Sequence, residues 1–302
     1  MKRKISIFTF VSMLVFSFTS CNLNEKTAPL PDNVDLAVEE VFASDLMEDV
    51  FAETFDIIFD FSEYGFFKSE DDNDWPDCRV KTIERPDGER WPKVVTLDFG
   101  DGCEDKNENV RKGKIIITIR GRFKEKGSTR SVTFEDYYIN NNRIEGTKLI
   151  TNTGREDGFL VFSIELEKAK ILTEDGIEIK RNASKTRVWI EGEETPTKWD
   201  NVFLINGTAE KINKDGVQIN KTITDLLRAK DCRWPVSGTV EITTDSDRPL
   251  AVLDYGDGEC DNWASVTIGE GDAAETWIVD LKKRGKKWKR QDDDDGVEKD
   301  GN

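Results

Sequence analysis

From residue 77 onward, apolar and polar residues alternate with a period of two. The clearest runs are Ile115-Ile116-Ile117-Thr118-Ile119, Val132-Thr133-Phe134, Leu160-Val161-Phe162-Ser163-Ile164 and Val202-Phe203-Leu204-Ile205. Such runs predict strands with one face on a core. Turn residues separate them at Lys126-Gly127-Ser128, Asn140-Asn141-Asn142, 154–158, Asp175-Gly176 and Asp215-Gly216. The two Asp-Gly pairs sit between β-branched residues and predict hairpins. Their spacing of 40 residues suggests a repeated hairpin unit. No helical pattern alternates with these strands, which argues against parallel βαβ units. The expected fold is mainly β: an antiparallel meander of roughly ten to twelve strands over residues 66–281.

One long stretch has helical periodicity instead. Ala43, Met47, Val50, Thr54, Ile57 and Phe61 fall at spacings of four and three, which predicts one amphipathic helix over 35–63. Asp32 or Asp35 suits its start, and Gly65 follows its end. Its other face is acidic, the wrong sign for an anionic membrane, so the helix is expected to pack on the sheet. Glu70-Asp71-Asp72-Asn73-Asp74 reads as a solvated loop.

Cysteines mark two related places along the strands. Asp77-Cys78-Arg79 matches Asp231-Cys232-Arg233, and Leu97-Asp98-Phe99-Gly100-Asp101-Gly102-Cys103 matches Leu253-Asp254-Tyr255-Gly256-Asp257-Gly258-Glu259-Cys260. The pattern reads as an internal duplication, with repeats near 77–105 and 231–262. Residues equidistant from a hairpin turn face each other. The midpoint of Cys232 and Cys260 falls in Thr244-Asp245-Ser246-Asp247-Arg248-Pro249, and that of Cys78 and Cys103 within Arg85–Pro92. Both are turn sequences. The expected disulfides are therefore Cys78–Cys103 and Cys232–Cys260, each closing the open end of a hairpin.

The beginning of the chain changes the setting. Lys2, Arg3 and Lys4 precede an apolar stretch of 14 residues, Ile5–Phe18, and Phe18-Thr19-Ser20-Cys21 closes it. That stretch is short of the roughly 20 residues a membrane-spanning helix needs and has the layout of a secretory signal. The small residues before Cys21 resemble the lipobox of Gram-negative bacterial lipoproteins, with Phe18 where Leu is usual. The resemblance implies removal of residues 1–20, acylation of Cys21 and anchoring by lipid rather than spanning. Asn22, in place of the Asp that retains such proteins in the inner membrane, implies the outer membrane on either face. Residues 21–34, with Pro29 and Pro31, read as a flexible tether. As a whole the chain resembles β-rich secreted lipoproteins with duplicated repeats.

Charge narrows the partners. Of 44 basic and 61 acidic residues, removal of residues 1–20 takes away three basic ones, leaving 41 against 61 and a formal charge of −20. Nucleic-acid affinity rests on neutralising phosphates with Lys and Arg, so no nucleic-acid partner is expected. There is no histidine, which removes the commonest general base and zinc ligand. The ending reverses sign, from basic Lys282–Arg290 to acidic Asp292–Asp295. Residues 282–302 therefore read as a disordered charged tail.

Candidate chemistry is sparse. Asp98 with Asp101, and Asp254 with Asp257, put two carboxylates on one tight turn, an oxygen-rich arrangement that suits calcium. Asp-Gly is equally what a tight turn needs, and no other cofactor is expected. Trp189, Trp234, Trp263 and Trp277 lie in strand patterns and read as core or cross-strand partners. Trp75 and Trp199 lie in loops, where an aromatic face suits glycan stacking. No nucleophile elbow, P-loop or dinucleotide fingerprint occurs. The expected function is a non-catalytic envelope module, structural or binding a protein or glycan. The alternatives are a glycan-acting enzyme using paired carboxylates and a lipid- or lipoprotein-handling scaffold.

Overall fold

A computed structural model describes residues 34, 37, 78–104, 109–195, 199–213, 216–229, 231–246, 248–282, 287–290 and 299–300. The described chain is one antiparallel sheet of 16 strands. The first strands are β1 (Val80–Glu84), β2 (Lys93–Asp98), β3 (Cys103–Glu104), β4 (Val110–Arg120) and β5 (Thr129–Ile139). Long central strands follow: β6 (Asn142–Glu156), β7 (Phe159–Leu172), β8 (Glu178–Glu191), β9 (Val202–Ile212) and β10 (Gln218–Ala229). The far side holds β11 (Ser237–Thr244), β12 (Ala251–Asp257), β13 (Trp263–Ile268), β14 (Glu275–Asp280), β15 (Lys287–Arg290) and β16 (Lys299–Asp300). Neighbours in sequence are neighbours in space, except that β3 pairs with β4 beside the main path.

The meander is thus longer than the ten to twelve strands expected. The additional strands lack the alternation that marks a half-buried strand. β1 is exposed or half-buried throughout, β3 has two residues, and β15 and β16 carry mainly charged sequence. Those last two also carry the sheet past the expected limit at residue 281. Of the expected helix, only Ala37 belongs to the described residues. Ala37 and Val34 are helical and fully buried in the same core as the sheet. The rest of 35–63, the signal 1–20 and most of the tether lie outside the described residues.

Burial follows the pleat. Val95 faces Ile117, which faces Val132, and all three are buried. Along β7, Leu160, Phe162, Ile164 and Leu166 continue this face. The other face carries polar pairs, among them Lys114 with Glu135 at 2.7 Å and Ser184 donating to Glu165 at 2.8 Å. One face is therefore covered and the other meets water, as antiparallel sheets allow.

A seam of bulges crosses the sheet. A Cβ on Gly113 of β4 would lie 2.0 Å from the carbonyl oxygen of Asp136 on β5, which has φ 43°. On Gly238 of β11 it would lie 2.3 Å from the carbonyl oxygen of Asp225 on β10, with φ 48°. Only glycine permits so close an approach of two backbones. Asparagines on neighbouring strands hold two bulged residues: Lys168 N–H donates to Asn182 Oδ1 at 2.9 Å, and Asp225 N–H to Asn206 Oδ1 at 2.8 Å. Bulges bend a strand and sharpen its twist, which suits a sheet too long to stay flat.

Candidate functional site: clamped turns and a buried basic face

The duplicated cysteine segments form two disulfides. Cys78 bonds Cys103 and Cys232 bonds Cys260, with Cα–Cα separations of 5.6 Å in both. Each closes a hairpin. Glu84 faces Val94 across β1 and β2, so that ribbon reverses within the turn sequence Arg85–Pro92. Ile242 faces Ala251 across β11 and β12, so the second reverses around residue 246. Following the strand reversals along the sheet, the first bond shares an end with the β7–β8 turn. The second lies at the opposite end, with the β8–β9 connection.

The turns beside the bonds use their aspartates alike. Asp98 Oδ1 accepts from the Gly100 N–H at 2.9 Å, and Asp254 Oδ1 from the Gly256 N–H at 2.9 Å. These are Asx turns, in which a carboxylate stands in for a backbone acceptor. Gly100 and Gly256 have φ 56° and 95°, a conformation that favours glycine. Asp101 and Asp257 are exposed. Among the described residues, no three His, Cys, Asp or Glu side chains gather where they could hold a metal ion. Of the neighbouring acids, Asp261 accepts from the Trp263 N–H at 2.9 Å, and Asp105 lies outside the described residues.

The two hairpins predicted from Asp-Gly repeat one design. Thr173 N–H donates to the Ile177 carbonyl at 2.9 Å, and Asn213 N–H to that of Val217 at 3.1 Å. The side chains of Thr173 and Asn213 then accept from the Ile177 and Val217 N–H groups at 3.0 and 2.9 Å. The tryptophans divide by depth. Trp189, Trp234 and Trp277 are buried, Trp263 is half-buried, and Trp199 is 50% exposed. Trp75 lies outside the described residues.

The least expected feature is on the covered face. Lys93, Arg111, Arg130, Lys148, Arg181, Lys211 and Lys221 are all buried there, none more than 6% exposed. Their strands place them among the apolar residues. Arg181 lies between Ile179 and Ala183 on β8, and Lys221 faces Ala209. Every one of the seven is engaged by a partner. Arg111 donates to the Tyr137 hydroxyl at 2.7 Å. Arg130 donates to Ser128 at 2.7 Å and to the Gly121 carbonyl at 3.2 Å, and its guanidinium lies 5.0 Å from the Phe123 ring. Burial, then Arg85 and Arg90, push the Lys93 ammonium below the usual lysine range. Its Nζ lies 4.5 Å from the Trp91 ring, a contact that favours the cation.

An aromatic ladder runs along one end of this face. Phe123 stacks on Phe162 at 4.9 Å and meets Trp189 edge-on at 6.2 Å, and Trp189 lies 5.7 Å from Phe203. Connections at that end are tied together: Lys124 donates to the Glu193 carbonyl at 3.0 Å, and Arg155 pairs with the Glu193 carboxylate. A cation at an inward phase of a strand pattern is the sequence signal for the basic face. The chain matches no protein family, no curated protein and no solved structure.

Proposed function

We propose that the chain is a cell-envelope lipoprotein: a non-catalytic structural or binding module held at the outer membrane by acyl chains on Cys21. One observation carries this reading. Two disulfides close hairpins at opposite ends of a single sheet, and such bonds persist in oxidising compartments rather than in the cytoplasm. The start of the chain supplies a matching route, with a basic segment, an apolar stretch and Cys21. Two or more acyl chains give stable anchoring where one is marginal. The paired cysteine segments, with the same Asx turn in each, support an origin by duplication.

The module's partner is a protein or a glycan. The strongly acidic composition disfavours nucleic acid, because few phosphates can be neutralised. The test is processing in a Gram-negative host with globomycin, followed by protease shaving of intact cells. The lipoprotein reading expects accumulation of uncleaved precursor with the drug and membrane-bound product without it. Identical processing with and without the drug would overturn it.

A further inference from the structure

One buried polar side chain stands apart from the basic face. Asn201 is fully buried, and among the described residues neither its Oδ1 nor its Nδ2 has a hydrogen-bond partner. A sealed amide with donor and acceptor both unused is rare in a folded protein. Its Oδ1 is turned toward the β8–β9 connection, 2.5 Å from where a Cβ on Gly192 would lie. That connection is otherwise tightly built. Thr195 Oγ1 lies 3.2 Å from the Gly192 carbonyl oxygen and 2.9 Å from Asp200 Oδ1. Arg155, beside the β6–β7 turn, donates to Glu193 Oε2 at 2.9 Å and to the Gly158 carbonyl at 2.6 Å.

Two aromatic side chains reach water at the same end. Trp199 has an interaction of its own and is still 50% exposed, and Phe159 is 42% exposed. Register sets them on adjacent connections: Arg155 faces Leu160, Leu160 faces Trp189, and Glu191 faces Val202. We propose that this end of the sheet binds a glycan. Trp199 and Phe159 supply stacking surfaces, Arg155, Glu193 and Asp200 meet hydroxyls, and Asn201 completes its hydrogen bonds only in the complex. This rests on the reading of the chain as a binding module. Sugar rings carry apolar C–H faces that stack on aromatic rings and hydroxyl rims that pair with planar side chains. Aromatics beside a fixed guanidinium and carboxylate match both. Glu156, Asp157, Glu194 and Asp200 are exposed around the site and repel anionic sugars, so the ligand class is a neutral polysaccharide. Neighbouring sugar hydroxyls offer a donor and an acceptor together, which is what the Asn201 amide lacks. Because that amide is sealed in the free protein, the Trp199-Asp200 step shifts on binding to admit them.

The test keeps the full chain. The purified protein is run in native gels containing laminarin, xyloglucan or galactomannan, with polygalacturonate as the anionic comparison. The proposal expects retardation by at least one neutral polysaccharide and none by polygalacturonate. Trp199→Ala should weaken that binding about tenfold or more. Ile212→Ala, at an exposed position on the opposite end of β9, should leave it unchanged. Asn201→Leu separates binding from folding. It should weaken binding about tenfold yet keep or raise thermal stability, because an amide bonded to nothing gives way to an apolar group of similar shape. Retardation by none of the neutral polysaccharides, or equal binding by Trp199→Ala, would overturn the proposal. So would a loss of stability in Asn201→Leu, which means the amide is already bonded in the free protein. Self-association without glycan that disappears in Trp199→Ala would assign this end to a second copy instead. None of these outcomes bears on Cys21 processing, so the globomycin test judges the lipoprotein reading separately.

Discussion

Arg181 on β8 and Lys211 on β9 are register partners, and both are buried, at 5% and 1% exposure. Like charges directly opposed on neighbouring strands destabilise a sheet, so this pair persists only because each residue is engaged by other interactions. Replacing Lys211 with Met keeps the length and raises apolarity, yet it strips the interaction that the buried ammonium makes and should destabilise the protein by about 1–3 kcal/mol. Urea unfolding at unchanged slope measures this. A neutral or stabilising Lys211→Met would show that relief of the like-charge contact with Arg181 outweighs what the ammonium gains from its partner.

The bulge seam makes a second contrast. Gly113→Ala and Gly238→Ala drive a Cβ into a neighbouring backbone oxygen and require positive φ. Each should cost on the order of 3 kcal/mol or more. Gly88 has φ 68° with open space around its Cβ position, so Gly88→Ala should cost about 1–2 kcal/mol. Thermal unfolding of the three variants ranks them, and equal costs would remove the close-approach argument.

Each Asx turn depends on a side-chain acceptor, not on charge. Asp98→Asn and Asp254→Asn keep the oxygen that accepts from Gly100 or Gly256 and should leave stability within about 0.5 kcal/mol. The alanine variants lose it and should cost about 1 kcal/mol each. A large loss with asparagine would indicate that the charge itself has work at these turns.

The disulfides lie at opposite ends of the sheet and share no strand. Removing Cys78–Cys103 or Cys232–Cys260 by paired alanine substitution should cost about 2–5 kcal/mol each. The two losses should add within about 0.5 kcal/mol, as for independent sites. Strong non-additivity in chemical unfolding would mean that the two clamps stabilise one shared element.

On the solvent face, Lys170 donates to Glu178 and holds its carboxyl below the usual glutamate range, with Lys180 adding to the effect. A depressed folded pKa means stability is present above the unfolded value and is lost as pH falls through the folded one. Carbon-detected NMR should show Glu178 titrating below an ordinary glutamate. Glu178→Gln should remove that acid-side contribution, and titration at the ordinary value would show the pair to be absent in solution.

The antiparallel order and the two clamps were legible because their signals are local. Asp-Gly between β-branched residues and turn clusters midway between cysteines each name a specific hairpin. The strand count was less legible. β1 at the edge buries too little to alternate, β15 is charged or aromatic at every position in sequence, and Arg181, Lys211 and Lys221 put cations at inward phases where apolar residues are sought. Those cations also hid the basic face, since a Lys two residues from an Ala reads as a solvated strand until register shows which face is covered. The bulges at Gly113 and Gly238 gave only an isolated glycine, which marks a bulge without saying which neighbour it meets.

The lipoprotein account is tested most directly by the intact mass and N-terminal peptide of the protein extracted from outer membranes. It predicts a mature chain that begins at Cys21 and carries acyl groups on that residue. An N-terminus elsewhere, or an unmodified Cys21, would contradict it.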